Sequence, residues 1–366
     1  VAIGQGALAT MTSSTNNTAV GYQAGGVTTG GYNTYVGHQA GKGASGAEAN
    51  NTAVGNQALT AITDGNTNVA IGGEAGHDLT VGDENVFIGI NAGDKTAAVT
   101  RTVIIGGNSG GAVMTTAAEG AIAIGYEAGT SLTSGAKNTF IGYEGGKGIT
   151  TAFENVFLGY QAGFTHVTGS RNIAIGPFAM GDTDAGSNSR DSSDNIFIGR
   201  YAGGGTWANS VSSENIGIGH NVMDAALDQA ENNTAVGNQA LTTVTTGDKN
   251  TVYGETSGGA ITTGYRNTFI GSGAGDALVD GFNNTCLGAS TDCSATDAEN
   301  QIVIGYNITG TADRRIHIGD VSNHLHTDFS SDSWSATSDI RQKKNIKDDS
   351  LGLEFIKSLR TTTYNH

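Results

Sequence analysis

A nonapeptide, Asn17-Thr18-Ala19-Val20-Gly21-Tyr22-Gln23-Ala24-Gly25, returns in close variants about every seventeen residues almost to the C-terminal end of the chain. Its core is Asn-[Thr/Val/Ile]-x-[Ile/Val/Leu]-Gly, and counting by the closing glycine gives nineteen copies, from Gly4, Gly21 and Gly37 through to Gly305 and Gly319. Most intervals are 16 to 18 residues; the exceptions are 19 before Gly125, 23 before Gly199, 20 before Gly219 and a final 14. A fixed period this short dictates a stacked solenoid, in which each repeat is one coil.

Each coil should contribute a strand. All nineteen copies carry Val, Ile or Thr three residues before the glycine, and eighteen carry Ile, Val or Leu one residue before it, Tyr253 being the exception. β-Branched residues at alternate positions are a strand signal. The residue between them points to the opposite face and is also mostly apolar, as at Ala19, Tyr35, Phe87, Ile104 and Phe140. One coil has one interior, so a strand apolar on both sides needs a second covering surface, and another copy of the chain is the simplest source. The glycine marks a bend or a close backbone approach where a Cβ would clash. Asn stands four residues before it in fourteen copies and is placed to build a hydrogen-bonded ladder from coil to coil. At ~4.8 Å per coil the eighteen intervals span roughly 86 Å, a rod whose stability is summed over neighbouring coils.

Composition alone points elsewhere. Glycine, at 58 of 366 residues, is about twice its usual ~7% share and suits a low-complexity linker, but periodicity overrules that reading. Pro177 is the one proline, as long strand stacks require. A formal net charge of -16 argues against a nucleic-acid partner, since phosphate binding needs a basic face. With no run of ~18 apolar residues, no membrane insertion is expected. Val1 falls in mid-repeat, so a preceding portion with a leader or an anchor domain stays open. Cys286 and Cys293 make no disulfide framework. Cys286 takes a repeat position held elsewhere by Ala or Phe and reads as a small buried hydrophobe, with a bridge as the alternative.

The Asn-x-x-Ile-Gly coils resemble the head repeats of trimeric autotransporter adhesins and the repeat shafts of phage tail fibres, whose repeats are usually shorter. The resemblance covers residues 1 to about 319. It implies a left-handed parallel β-roll and three chains packed about an axis, in keeping with the two-faced strand.

Between coils, the two longest loops follow Gly176 and Gly199. One runs from Pro177 to Asp194 and holds Asp182, Asp184, Asp191 and Asp194; the other includes Tyr201 and Gly203-Gly204-Gly205-Thr206-Trp207. Loops carry specificity on repetitive scaffolds, which makes Trp207, Tyr201, Asp184 and Asp191 the receptor-binding candidates. Trp207 has two readings: an exposed indole stacking on a sugar ring, or a ring that packs its loop onto the rod. The acidic loop lacks the Asp-x-Asp-x-Asp-Gly spacing of a calcium loop and reads as solvated. Gly271-Ser272-Gly273-Ala274-Gly275-Asp276 opens no helix and reads as ordinary coil.

Beyond Gly319 the rhythm stops, and residues 320–337 read as a polar, serine-rich neck or linker. His324-Leu325-His326 lies within it, and on a strand these imidazoles point the same way. Three chains about an axis would gather six of them, enough for octahedral coordination of a transition metal; otherwise they are two solvated histidines. His-x-His pairs of this kind are similar to those on the axis of phage fibre tips.

The final stretch, Ser338-Asp339-Ile340-Arg341-Gln342-Lys343-Lys344-Asn345-Ile346-Lys347, followed by Leu359-Arg360-Thr361-Thr362-Thr363-Tyr364-Asn365, resembles the start of the intramolecular chaperone domain of phage endosialidases, tail spikes and tail fibres. That family assembles a trimer and then cuts the domain off. The resemblance implies cleavage between Thr337 and Ser338, with Ser338 as nucleophile and Lys343 as general base, and makes residues 338–366 an incomplete N-terminal part of the domain. A lysine takes a serine's proton only when its pKa is depressed; Arg341, Lys344 and Lys347 favour that and Asp339 opposes it. Leu351, Phe355, Ile356 and Leu359 have helical spacing, so a short amphipathic helix is expected over 350–360.

The expectation is therefore an all-β solenoid, a homotrimeric rod with a short α-helical C-terminal tail. Its shaft occupies residues 1–319. As a function this gives a structural and host-receptor-binding fibre of a phage or virus tail, in contact with a host-surface glycan or protein and with other virion tail proteins, and located in the virion tail, outside the cell. Alternatives are a bacterial trimeric surface adhesin, which needs a leader and a membrane anchor, and a glycan-degrading tail spike, for which the uniform coils leave no catalytic domain.

Overall fold

The structure, a computed structural model, describes residues 1–11, 14–43, 46–183, 191–207, 210–330 and 335–336. Nineteen strands follow one another in chain order, from β1 (Ala2–Ile3) to β19 (Arg315–Asp320), and each pairs in parallel with the next. Most are three residues long. The repeats stay in register, so that Ala19 faces Tyr35, Phe140 faces Phe157 and Phe269 faces Cys286. The turns stack as well: the Gly41 N–H donates to Ala58 O at 2.8 Å, and Gly76 N–H to Ala92 O at 2.9 Å. Every side of the coil is thus hydrogen-bonded to the coil beyond it, the architecture of a rod-like parallel β-solenoid.

Two sequence positions enforce this stacking. The repeat glycines all lie at φ between +125° and +149°, a region closed to L side chains. A Cβ at Gly142 would also overlap the carbonyl oxygen of Gly159 in the next coil. The second position is the asparagine four residues earlier. Asn33 Oδ1 accepts the Asn51 N–H at 2.9 Å, while Asn51 Nδ2 donates to Gly65 O at 2.8 Å. This ladder runs from Asn17 to Thr102, breaks at Ala121, resumes at Asn138 and ends on Gln301. The break falls in the 19-residue coil, which carries a 3-10 turn at Thr116–Ala118. Buried amides are tolerated here because both ends of each are satisfied.

Inside the rod, the middle residue of each strand forms one column, with Phe87, Phe140, Phe157 and Phe197 fully buried. A second column holds the alanine three residues after the glycine, and a third a large side chain seven or eight after it, such as Ile62, Leu79, Leu132 and Ile149. The two residues flanking each middle residue point out of the coil. Their side chains are half-covered: Ile71 retains 41%, Leu158 40% and Ile270 43% of their accessible surface. Within one chain, then, only the inner face of the strand is buried.

At the C-terminal end the parallel stack reverses. β20 (His324–Asp328) folds back antiparallel on β19, and β21 (Ser335–Ala336) pairs antiparallel with β20. The expected α-helical tail needs correction. Among the described residues there is no α-helix, only 3-10 turns such as that at Thr116–Ala118, so the fold is all-β without an α-helical element. The periodic segment 350–360 lies outside the described residues.

Candidate metal centre and lateral loops

The β19–β20 hairpin brings three histidines together. His317 sits opposite His326 in the antiparallel register, and His324 sits opposite Gly319. One ring nitrogen from each of His317, His324 and His326 lies within 4.8 Å of the others. Ring centroids are 5.6 Å apart for His317 and His326, which stack, and 5.8 Å for His317 and His324. The sequence pair His324 and His326 thus acquires a third partner from its own chain, without a symmetry axis.

His317 is fully buried, and desolvation, reinforced by the neighbouring imidazoles, pushes its pKa down to about 4. A neutral imidazole is the form that ligates metal. The Nδ1 atoms of His317 and His326 are buried without a hydrogen-bond partner, while His317 Nε2 lies 3.2 Å from Thr311 Oγ1. Nε2 also accepts the Thr311 backbone N–H at 3.2 Å, so in the neutral ring the lone pair faces Thr311 and the proton sits on Nδ1; binding a metal through Nδ1 requires the other tautomer. Arg315 Nη1 in turn donates to Thr311 Oγ1 at 3.0 Å. Three imidazoles with no carboxylate between them suit Zn²⁺, Ni²⁺, Cu²⁺ or Fe²⁺ rather than Ca²⁺ or Mg²⁺. His317 escaped the sequence reading because it belongs to the repeat: it stands two residues before Gly319, in the column that elsewhere holds Phe or Ala. A titratable residue in an apolar column was the available signal.

The lateral loops come out differently. Trp207 is fully buried, its ring 5.9 Å edge-on from Phe197 and its Nε1–H donated to Gly203 O at 3.0 Å. The indole is a core side chain that offers no face to a sugar, which corrects the receptor-binding assignment in favour of packing. Tyr201 lies at the surface but stacks on Phe178 at 4.9 Å, and the Arg200 guanidinium covers it at 4.8 Å. Asp191 is exposed and accepts the Thr168 hydroxyl at 2.6 Å. Asp182, half-buried, reaches the neighbouring loop and accepts the Thr206 hydroxyl at 2.6 Å. Asp184 lies outside the described residues, as do Thr337, Ser338 and Lys343.

A further exposed column follows the repeat glycines. Tyr126, Tyr143 and Tyr160 stack face to face at 5.3 and 5.2 Å, each about 45% exposed. Beside them Lys147 bridges Glu127 and Glu144, 2.6 Å from each, and Gln161 donates to Glu144 at 2.6 Å. Among the described residues no helix is long and apolar enough to cross a membrane. Compared with known proteins, the chain matches no protein-family model, no curated protein and no solved structure.

Proposed function

We propose that this chain is the shaft of a homotrimeric fibre of a phage or viral tail, which holds a host-binding surface away from the particle. The observation that carries the trimer is the outward face of the strands. Ile, Val or Leu stands partly exposed one residue before nearly every repeat glycine, an apolar stripe along the rod, where monomeric proteins rarely exceed a few hundred Å². Covering the remainder of one such side chain stabilises by roughly 1 kcal/mol, repeated along the whole rod. A second copy of the same face is the natural cover, because its coils have the same rise.

Placement in a tail rests on the C-terminal segment, which resembles a self-releasing chaperone domain. Ser338 supplies the nucleophilic hydroxyl and Lys343 takes its proton, so that the chain is cut between Thr337 and Ser338 once the trimer has formed. Tyr201 and Asp191 remain as surface groups for a host glycan or protein, and the shaft meets other virion tail proteins at its ends. In the same reading His317, His324 and His326 hold one divalent transition metal per chain, which fastens β20 onto β19.

Light scattering combined with intact mass spectrometry tests the reading. The expected particle is three times 37.0 kDa. With the complete C-terminal domain supplied, a fragment beginning at Ser338 should be released, and Ser338→Ala should keep the chain whole yet still assembled. A monomer would refute the shaft as drawn.

A further inference from the structure

The chain has two cysteines, and the fold puts them side by side. Cys286 is the middle residue of β17 (Thr285–Leu287), in the interior column held by Phe269 in the coil before and Val303 in the coil after. Cys293 comes from the following turn, five residues after Gly288. The two sulfurs are 3.5 Å apart, at 0% and 3% exposure. No third cysteine exists to compete for either.

We propose that Cys286 and Cys293 are a redox-active pair that closes an intrachain disulfide under oxidising conditions, locking this coil of the shaft. Bond formation needs the sulfurs to approach by about 1.5 Å, to the ~2.05 Å of a disulfide. The oxidant is a small-molecule disulfide such as oxidised glutathione. In a local opening of the turn, the Cys293 thiolate attacks one glutathione sulfur and releases a first glutathione thiolate, leaving a mixed disulfide. The Cys286 thiolate then attacks the Cys293 sulfur and expels the second. Two protein thiols and one oxidised glutathione become one protein disulfide and two molecules of reduced glutathione, which carry the two protons.

Position gives the bond its use. Stacked coils depend on nearest neighbours, so the last ones before an end are the first to open. The asparagine ladder runs out on Gln301, one coil beyond Cys286. In the reduced chain the hydrogen bond between the sulfurs, together with burial, raises the Cys286 thiol well above its usual range, so the closed coil holds neutral thiols and reacts only when it opens. Thiols packed in contact inside a stack with no other cysteine are thereby protected from stray alkylation but not from each other.

The test incubates the folded full-length chain in glutathione buffers of rising oxidised fraction, quenches with acid, alkylates in denaturant and reads intact and peptide masses. The expected outcome is a two-state change from two alkylated cysteines to none, with a 2 Da loss and a Cys286–Cys293 linked peptide. On adding reductant, the melting temperature of the oxidised chain should fall by several degrees, while Cys293→Ser should melt alike with and without reductant. Two alkylatable cysteines at the most oxidising ratio, a persistent glutathione adduct on either one, or chains crosslinked to each other would each overturn the proposal.

Discussion

From Asn138 to Asn284 every coil repeats one solution; from Cys286 to His326 nearly every element of it is replaced. In the first region each asparagine serves the coils on both sides, and the interior holds Phe, Ala and aliphatic residues, with Trp207 and His166 as exceptions. In the second, Gln301 ends the ladder and turns its amide to Ser294 and Asp313, with Oε1 accepting the Ser294 N–H at 3.1 Å and Nε2 donating to Asp313 Oδ1 at 3.1 Å. The interior column passes from Cys286 to Val303 to His317, and the sheet then reverses. A uniform stack needs only satisfied amides and hydrocarbon, so chemistry enters where the repeat loosens.

The largest expected effect breaks the regular region. Asn155 Oδ1 accepts the Asn172 N–H at 2.9 Å, and its Nδ2 donates to Gly169 O at 3.1 Å. Asn155→Ala leaves the Asn172 N–H without its acceptor and takes one partner from Gly169 O, which His166 Nε2 also approaches at 3.1 Å; it should cost about 2–4 kcal/mol, from ~1–3 kcal/mol for the stranded N–H and ~1 kcal/mol for the lost carbonyl bond. Thr102→Ala, at the end of the first ladder run, should cost only ~1 kcal/mol, because its backbone N–H still donates to Asn85 Oδ1 at 3.0 Å. Urea unfolding and amide exchange at the coils on either side measure the contrast. Equal losses would mean that the ladder merely follows the stack instead of holding it.

The difference between the regions also explains what could be read in advance. Strands, glycine approach and asparagine ladder were legible because they recur, and a recurring pattern leaves few geometries that satisfy every copy. Trp207 was as legible, yet loop length disguised it. It stands eight residues after Gly199, as Met114 stands eight after Gly106 and Leu227 eight after Gly219, and all three are buried. Counting from the glycine would have placed the indole in the core. His317 was readable by the same count, but its partners were not. The reversal between Asp320 and His324 rests on one local turn, in which Asp320 Oδ1 accepts the Ser322 and Asn323 N–H groups at 2.7 Å, and nothing periodic announces it. The helix expected over 350–360 came from apolar spacing alone, and that segment lies outside the described residues.

A smaller effect sharpens the chemistry of the end region. If the metal belongs to the hairpin of one chain, a saturating divalent ion should stabilise the protein by about 2–3 kcal/mol at a hundredfold excess over its dissociation constant. His317→Ala should abolish that shift as completely as His324→Ala. A site made only of His324 and His326 from three chains would keep its shift in His317→Ala. Thermal melts in Ni²⁺ or Zn²⁺, with chelator controls, separate the two.

The smallest effect lies back in the shaft, where a histidine also occupies an interior column. His166 is seven residues after Gly159, the place of Leu132 and Ile149 in their coils, and its Nδ1 lies 2.9 Å from Thr183 Oγ1. Burial pushes its pKa down to about 4 from an ordinary 6.5. The folded form therefore resists a proton that the unfolded chain accepts, so its full contribution holds above pH ~6.5 and drains away as pH falls towards 4. At pH 5 the loss should be ~1–2 kcal/mol, from about 1.4 kcal/mol per pH unit. His166→Leu restores the hydrocarbon column and removes that loss. The unpaired Thr183 hydroxyl it leaves is an offset that does not change with pH, so the informative quantity is the slope of stability between pH 7 and pH 5. A variant whose slope matched that of the parent would show that His166 takes its proton inside the folded rod, and that the interior of the shaft is wetter than its packing implies.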